Sequence, residues 1–268
     1  MRWALFDGKE QSMILTGNTI FITGGGSGIG RGLAEALHKR GNLVIISGRR
    51  RSHLEATTKA NPGMVSVELD LQDPKSIASA AKKLTAQYPK LNVLINNAGI
   101  MQIDDAAGVI DDALLVSTVN TNLLGSIRVT SALIEHLKKQ PSATIIYNTS
   151  VLGYVPLAIT AVYSSTKAAL HSYVLSQRYK LKNTAVRVLE IAPPWVQTDL
   201  LGSNDEPRAM PLAEFIKETM GVLGTDAQEV LVERAKPLRN NPGPNEDVLV
   251  TQFNDSMLQP QPRTETAV

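Results

Sequence analysis

Three side chains near the middle of the chain have the types and the spacing to move a proton: Ser150, Tyr163 and Lys167. Tyr163 and Lys167 stand four apart in YSSTKAAL, a stretch able to run as a helix, and positions i and i+4 share one helix face. A phenol and an ammonium placed that way point into the same space. The positive charge favours the phenolate, which makes the tyrosine a better proton donor and acceptor near neutral pH. Ser150 comes thirteen residues before the tyrosine, just after the apolar run Ala143 to Tyr147, which predicts a buried strand. A hydroxyl at a strand end can face a helix-borne tyrosine across a cleft. Alone, a Y-x-x-x-K pair is commonplace and reads as a surface lysine beside a half-buried tyrosine. Its meaning depends on the elements that would position it.

Those elements begin at Asn18. Asn18 to Thr23 (NTIFIT) predicts a buried parallel strand and leads directly into Gly24-Gly25-Gly26-Ser27-Gly28-Ile29-Gly30. Ile29, Leu33, Ala36 and Leu37 then recur at helical spacing, with Gly41 where a helix-ending glycine belongs. Strand, glycine-rich turn and helix form the geometry that cradles a pyrophosphate: the backbone approaches closely and free N–H groups face the anion. A second strand, Leu43 to Ser47, ends in Gly48-Arg49-Arg50-Arg51. An acidic residue there would accept hydrogen bonds from an adenosine ribose, whereas an arginine suits a 2′-phosphate. No Asp or Glu stands at this strand end, so Arg49 is the phosphate candidate and NADP(H) is favoured over NAD(H). Arg50 and Arg51 read equally well as solvated arginines at a helix start.

The pattern continues with a strand at Met64 to Leu69, closed by Asp70, and a helix from Pro74 to about Gln87. Leu91 to Ile95 predicts a fourth strand ending in Asn96-Asn97-Ala98-Gly99. One long helix is expected over roughly 111–139. Asn120 and Asn122 are poor residues for its interior and call for hydrogen-bonding partners. The fifth strand, the Tyr163 helix to about Leu181 and a sixth strand, Ala185 to Ile191, follow. Pro193-Pro194 stops that strand, Gly202 to Met210 reads as loop, Pro211 to Val222 as a helix, Val230 to Val232 as a short last strand, and Arg239 to Asn245 as a turn-rich connector. Regular alternation of strand and helix predicts an α/β fold: a doubly wound parallel sheet of six to seven strands with helices on both faces.

Composition narrows the functional classes. The 268 residues are 43% hydrophobic with a net charge of +2, too small to argue for nucleic acid or an anionic membrane. Absence of cysteine excludes disulfides, thiolate chemistry and Cys-ligated metals. His38, His53, His136 and His171 are scattered outside any metal-ligand spacing, and all four read as solvated or packing residues. No apolar run approaches the roughly 20 residues needed to cross a bilayer, and the N-terminus lacks the plan of a signal peptide. A metal-free cytoplasmic protein is expected. Residues 1–12 show no period and read as a non-native or disordered extension, 13–258 as one domain, and 259–268 as a disordered tail.

Four motifs in one order carry a resemblance. T-G-x-x-x-G-x-G stands at Thr23, Gly24, Gly28 and Gly30, N-N-A-G at Asn96 to Gly99, the Ser–Tyr gap at Ser150 and Tyr163, and Y-x-x-x-K at Tyr163 and Lys167. From about Thr16 to Thr198 the chain resembles the short-chain dehydrogenase/reductase family in its compact single-domain branch. The resemblance implies a Rossmann-type fold and a role for each matching residue. Tyr163 would be the general acid that protonates a carbonyl oxygen, Ser150 would orient that oxygen, and Lys167 would hold the nicotinamide ribose and lower the tyrosine's pKa. Asn122 would hold a water in the proton relay. Cofactor contacts would fall on Thr23, Gly24, Ser27, Gly28, Ile29 and Gly30 of the glycine turn, on Arg49, and on Asp70 and Leu71 at the adenine. Asn97, Ala98 and Gly99 would line the centre, with Ile191, Pro193, Val196 and Thr198 at the carboxamide. Two departures stand out: Pro193-Pro194 replaces the family's usual Pro-Gly, and Ser27 sits where many NADP-dependent members carry a basic residue.

The activity implied is hydride transfer between NADP(H) and the carbonyl or secondary alcohol of a small, mainly apolar ketone or aldehyde. The competing reading, a dinucleotide-binding regulatory protein without turnover, has no need of Asn122, Ser150, Tyr163 and Lys167 together. Trp195, Leu200, Leu201, Met210, Leu212, Phe215 and Ile216, with Met101, Leu152 and Tyr154, are the candidates for an apolar substrate pocket. A homodimer or homotetramer through helices 111–139 and 160–182 is implied by the resemblance only.

Overall fold

The computed structural model describes residues 12–240 and 245–258. The expectations for residues 1–11 and 259–268, and for part of the 239–245 connector, lie outside the described residues. Strands and helices alternate as β1 (Thr19–Thr23), α1 (Gly28–His38), β2 (Leu43–Gly48), α2 (Arg51–Ala60), β3 (Val65–Glu68), α3 (Pro74–Gln87) and β4 (Leu91–Asn96). Then come α4 (Asp112–Val119), α5 (Ser126–Leu137), β5 (Ala143–Asn148), α6 (Ala161–Leu181), β6 (Val186–Ile191), α7 (Leu212–Leu223), β7 (Glu229–Val230), α8 (Lys236–Arg239) and α9 (Glu246–Leu258).

All seven strands are parallel, in the order β3-β2-β1-β4-β5-β6-β7. Their near-continuous apolar runs follow from burial on both faces. Ile20, Ile22, Ile46, Ile95 and Ile146 point to one side, against Leu33 and Leu37 of α1 and Phe215 of α7. Phe21, Ile45, Leu94, Ile145 and Tyr147 point to the other, against Leu84 of α3, Leu133 of α5 and Leu170 of α6. The chain crosses from β3 over the sheet to β4, so β1 lies between strands whose connections leave in opposite directions. A crevice opens there, at the carboxyl ends of the strands.

The long helix expected over 111–139 is broken. Its middle, Asn120–Gly125, is a π-helical segment between α4 and α5. The wider turn accompanies two close fits. Asn122 turns its amide away to bond the backbone of Ile100, and Gly125 packs against Leu71, whose Cβ would lie 2.8 Å from a Cβ at Gly125. The start of the Gly202–Met210 stretch read as loop falls within Leu200–Asp205, which forms 3-10 turns around a kink in which Leu201 and Gly202 have φ of 53° and 62°. The last strand is Glu229–Val230, shifted from the apolar run that suggested it. Helices α8 and α9 were not anticipated. Asn254 docks α9 by donating to the Pro156 carbonyl at 3.0 Å and accepting from the Ala158 N–H. Among the described residues no helix is long and apolar enough to cross a membrane.

Candidate active site

The glycine turn occupies the crevice. Gly24 has φ +68°, and a Cβ there would lie 2.8 Å from the Ala98 Cα. A Cβ on Gly30 would sit 2.3 Å from both the Gly24 carbonyl oxygen and Asn97 Nδ2. The backbone is therefore open to a close-lying ligand only while these positions are glycine. Thr23 and Asn97 lock the turn to the end of β4. Thr23 Oγ1 accepts from the N–H groups of Asn97 and Ala98 at 3.0 and 3.1 Å. Asn97 Nδ2 donates to the carbonyls of Thr23 and Gly24, while its Oδ1 accepts from Asn148 at 2.8 Å.

From this turn a cleft of about 860 Å³ runs along the strand ends to Tyr163. Thr23, Gly24, Ser27, Gly28, Ile29, Gly30, Arg49, Asp70 and Leu71 line its first half. Asn97, Ala98, Gly99, Ser150, Tyr163, Lys167, Pro193, Val196 and Thr198 line the rest. Two expected residues lie outside the lining: Ile191 is fully buried in the core, and Asn122 is fully buried with Oδ1 accepting from Ile100 N–H and Nδ2 donating to Ile100 O, each at 2.8 Å. The Asn122 side chain latches the Gly99–Ile100 segment to the π turn. This answers why an asparagine sits there without placing its amide in the cleft.

Ser150 extends from the end of β5 and accepts from Leu152 N–H at 3.1 Å. Tyr163 and Lys167 lie one turn apart near the start of α6, both buried. Asp104 caps that start from a distance, its carboxylate accepting from Ala161 N–H at 3.1 Å and Val162 N–H at 3.0 Å. Lys167 donates to the Asn148 carbonyl at 2.8 Å, and its Nζ lies 5.5 Å from the Tyr163 ring centre. Burial pushes Tyr163 up to about 12, with the Ser150 hydroxyl pulling it partly back. Burial draws Lys167 down to about 8 against the favourable charge of Glu190. The expected lowering of the tyrosine by the lysine does not appear: desolvation dominates, and the ammonium is turned to the Asn148 carbonyl.

The sequence model described as short chain dehydrogenase matches residues 18–209, most of the chain. The chain belongs to the short-chain dehydrogenase/reductase family. It is an NAD(P)-dependent oxidoreductase of that family. The uncharacterized oxidoreductase DltE of Bacillus subtilis is 36% identical over 248 residues, covering 90% of this chain and 98% of the relative. The NADP-dependent 3-hydroxy acid dehydrogenase of Schizosaccharomyces pombe is 32% identical over 193 residues, covering 69% and 74%. A short-chain dehydrogenase from Burkholderia cenocepacia, solved in complex with NADP, superposes with a TM-score of 0.77 at 26% identity, covering 92% of this chain and all of that one.

Within this short-chain dehydrogenase, several of the expected pocket residues are elsewhere. Met210 and Phe215 belong to the core, Leu212 and Ile216 pack over Gly32 of α1, and Tyr154 faces Glu190. The expected Met101, Leu152, Trp195, Leu200 and Leu201 do line the outer cleft, joined by the unexpected Leu238, Phe253 and Met257, with Arg208 and Arg234 at its edge. Arg208 is ion-paired to Glu206 at 2.8 Å and stacked on Trp195. Sequence reasoning missed three more residues. Arg50, read as solvated, lines the cleft beside Arg49 and donates to Ser27 Oγ at 3.2 Å, so a basic group reaches the glycine turn from a neighbouring loop. Arg51 does point away, to Glu55. Asp104 gave no local signal, its partners lying 57 and 58 residues on. Glu190 did give one: a glutamate inside an otherwise buried strand.

Proposed function

We propose that this enzyme reduces the carbonyl group of a small, mainly apolar ketone or aldehyde with NADPH, and oxidises the corresponding alcohol in reverse. The observation that carries the reading is the meeting of Ser150, Tyr163 and Lys167 at one end of a cleft whose other end is the glycine turn. The turn accepts no Cβ at Gly24 or Gly30, which fits a pyrophosphate lying against backbone. Arg49 and Arg50 at the end of β2 suit a 2′-phosphate, and the NADP of the Burkholderia relative supports the same preference. When bound, the reduced nicotinamide supplies the hydride. Tyr163 holds its proton at neutral pH and gives it to the carbonyl oxygen, which the Ser150 hydroxyl orients. Lys167 keeps a positive charge beside the phenolate left behind. The apolar wall formed by Leu152, Trp195 and Phe253 excludes water from the reacting carbon.

The test is oxidation of NADPH by a panel of apolar ketones and aldehydes, with wild type and Tyr163→Phe. Wild type turns over at least one of them. The variant binds NADPH normally and loses at least about a hundredfold in kcat, as expected for removal of a general acid. Full activity in the variant sinks the assignment of Tyr163. NADPH binding without any turnover returns the chain to the regulatory reading. Assembly as a homodimer or homotetramer is part of the same proposal and rests on family membership alone.

A further inference from the structure

Behind the three reacting side chains lies a second cluster that the proposed chemistry does not use. Its centre is Glu190 on β6, with no exposed surface. Oε1 accepts from Thr149 Oγ1 at 2.6 Å and from the Tyr154 hydroxyl at 3.3 Å. His171 Nδ1 lies 3.0 Å from Oε1 and 2.8 Å from Oε2, which places the imidazole proton on Nδ1. Tyr154 and His171 meet edge to face with ring centres 5.0 Å apart. The Arg239 guanidinium lies 4.7 Å from the Tyr154 ring centre and pairs with both oxygens of Glu229 at 2.9 and 3.0 Å. Oxygen and nitrogen atoms of His171, Glu190 and Glu229 come within 4.8 Å of one another. Arg239 already neutralises the Glu229 end, so a cation is not needed there.

The placement of these partners is what gives the cluster a function. Thr149 immediately precedes Ser150 and also donates its N–H to the Ile191 carbonyl at 2.8 Å. Tyr154 follows the short turn that Ser150 opens, and His171 is one helical turn beyond Lys167 on α6. One carboxylate thus ties together the segments that carry Ser150, Tyr163 and Lys167. A fully buried carboxylate costs several kcal/mol of desolvation, and apolar replacements of buried ion pairs are often as stable. Stability alone is a weak reason to keep one here.

We infer that Glu190, held by Thr149, Tyr154 and His171, is a positioning residue: it fixes Ser150 relative to α6, the helix that carries Tyr163 and Lys167. The inference rests on the proposed roles of Ser150, Tyr163 and Lys167. The charged and titratable groups around Glu190 are Lys167 and His171 from α6, Tyr154 from the turn after β5, Glu229 of β7 and Arg239 of α8. Burial and the two carboxylates hold Tyr154 well above the ordinary phenol range, so it remains a donor. Arg239 is matched by Glu229, which leaves Glu190 facing Lys167 and His171.

The decisive comparison is wild type, Glu190→Gln, Glu190→Asp and Tyr163→Phe, each read for kcat, KM, NADPH affinity, melting temperature and the pH profile of reduction. Glu190→Gln keeps the shape but removes the charge. It should lower kcat about tenfold or more, as small misplacements do, with KM and NADPH affinity unchanged. The alkaline fall in activity should move to lower pH by about one unit, because the ammonium has lost a counter-charge. Glu190→Asp keeps the charge and should leave that fall in place while still lowering kcat. A lower kcat in Glu190→Gln with an unmoved pH profile, or with a matching loss of melting temperature alone, overturns the inference, as does unchanged kcat. If Glu190→Gln does not fold, His171→Gln is read instead: a kcat loss above about threefold at constant KM supports the coupling, and a smaller change overturns it. Full activity in Tyr163→Phe shows separately that the proposed function, and not the Glu190 assignment, has failed.

Discussion

Burial governs the proton chemistry of Tyr163 and Lys167. With the phenol pushed up to about 12 and the ammonium drawn down to about 8, both are protonated at neutral pH, the state the proposed reduction requires. The sign follows directly. Below about 8 the lysine charge is present and reduction is insensitive to pH. As pH rises through 8 that charge is lost and reduction falls, while alcohol oxidation, which needs the phenolate, gains. Profiles of kcat in the two directions should therefore diverge above pH 8, and a reduction optimum above about pH 9 counts against the assignment. The meeting of Ser150, Tyr163 and Lys167 in one cleft was legible in the sequence because it is carried by residue type and short spacing. Glu190, Arg50 and Asp104 act through partners distant along the chain, such as the Thr149–Glu190 bond between residues 41 apart. Only folding brings such pairs together, so their roles were not readable in advance.

Strands and helices were legible where an apolar run meets a clear stop. Pro74–Gln87 matches its expected bounds because Pro74 suits a first turn and Asp73 caps it by accepting from Lys75 N–H at 2.8 Å. The π segment was not legible, since it depends on Leu71 and Ile100, which lie outside the helix. Helix α9 was missed because its footing, Asn254 on the Pro156–Ala158 loop with Phe253 and Met257 against the core, is made with residues distant along the chain. The glycine turn gives the sharpest test of how an element makes the site. In Gly30→Ala the new Cβ meets the Gly24 carbonyl at 2.3 Å, and backbone so closely held cannot yield cheaply. Overpacking of this kind costs about 1–3 kcal/mol and displaces the turn, so NADPH affinity should fall at least about tenfold by titration. Gly221→Ala is the control. Nothing lies within 4 Å of the added carbon in α7, and helix propensity favours the change by up to about 1 kcal/mol. Equal NADPH affinity in wild type and Gly30→Ala would remove the turn from the cofactor site.

The cleft joins parts of the sheet that local contacts hold only indirectly. One end lies on β1, α1 and the β2 terminus; the other on β5, α6 and the segment after β6, with the N-N-A-G stretch between. A dinucleotide spanning that length binds the folded chain and not the unfolded one, so it must stabilise the whole molecule by mass action. At a hundred times Kd the gain is about 2.7 kcal/mol. A domain of this size shifts by about 2–4 °C per kcal/mol, which gives roughly 5–11 °C in melting temperature. On the proposed preference NADPH should produce that shift at lower concentration than NADH, because only NADPH carries a 2′-phosphate for Arg49 and Arg50, which line the cleft, to bind. Replacing both arginines with alanine should erase the difference between the cofactors while leaving the NADH shift intact. If NADH stabilises wild type as well as NADPH does, the arginines at the end of β2 are solvated after all. The preference for NADP(H) then fails without touching the reading of Ser150, Tyr163 and Lys167.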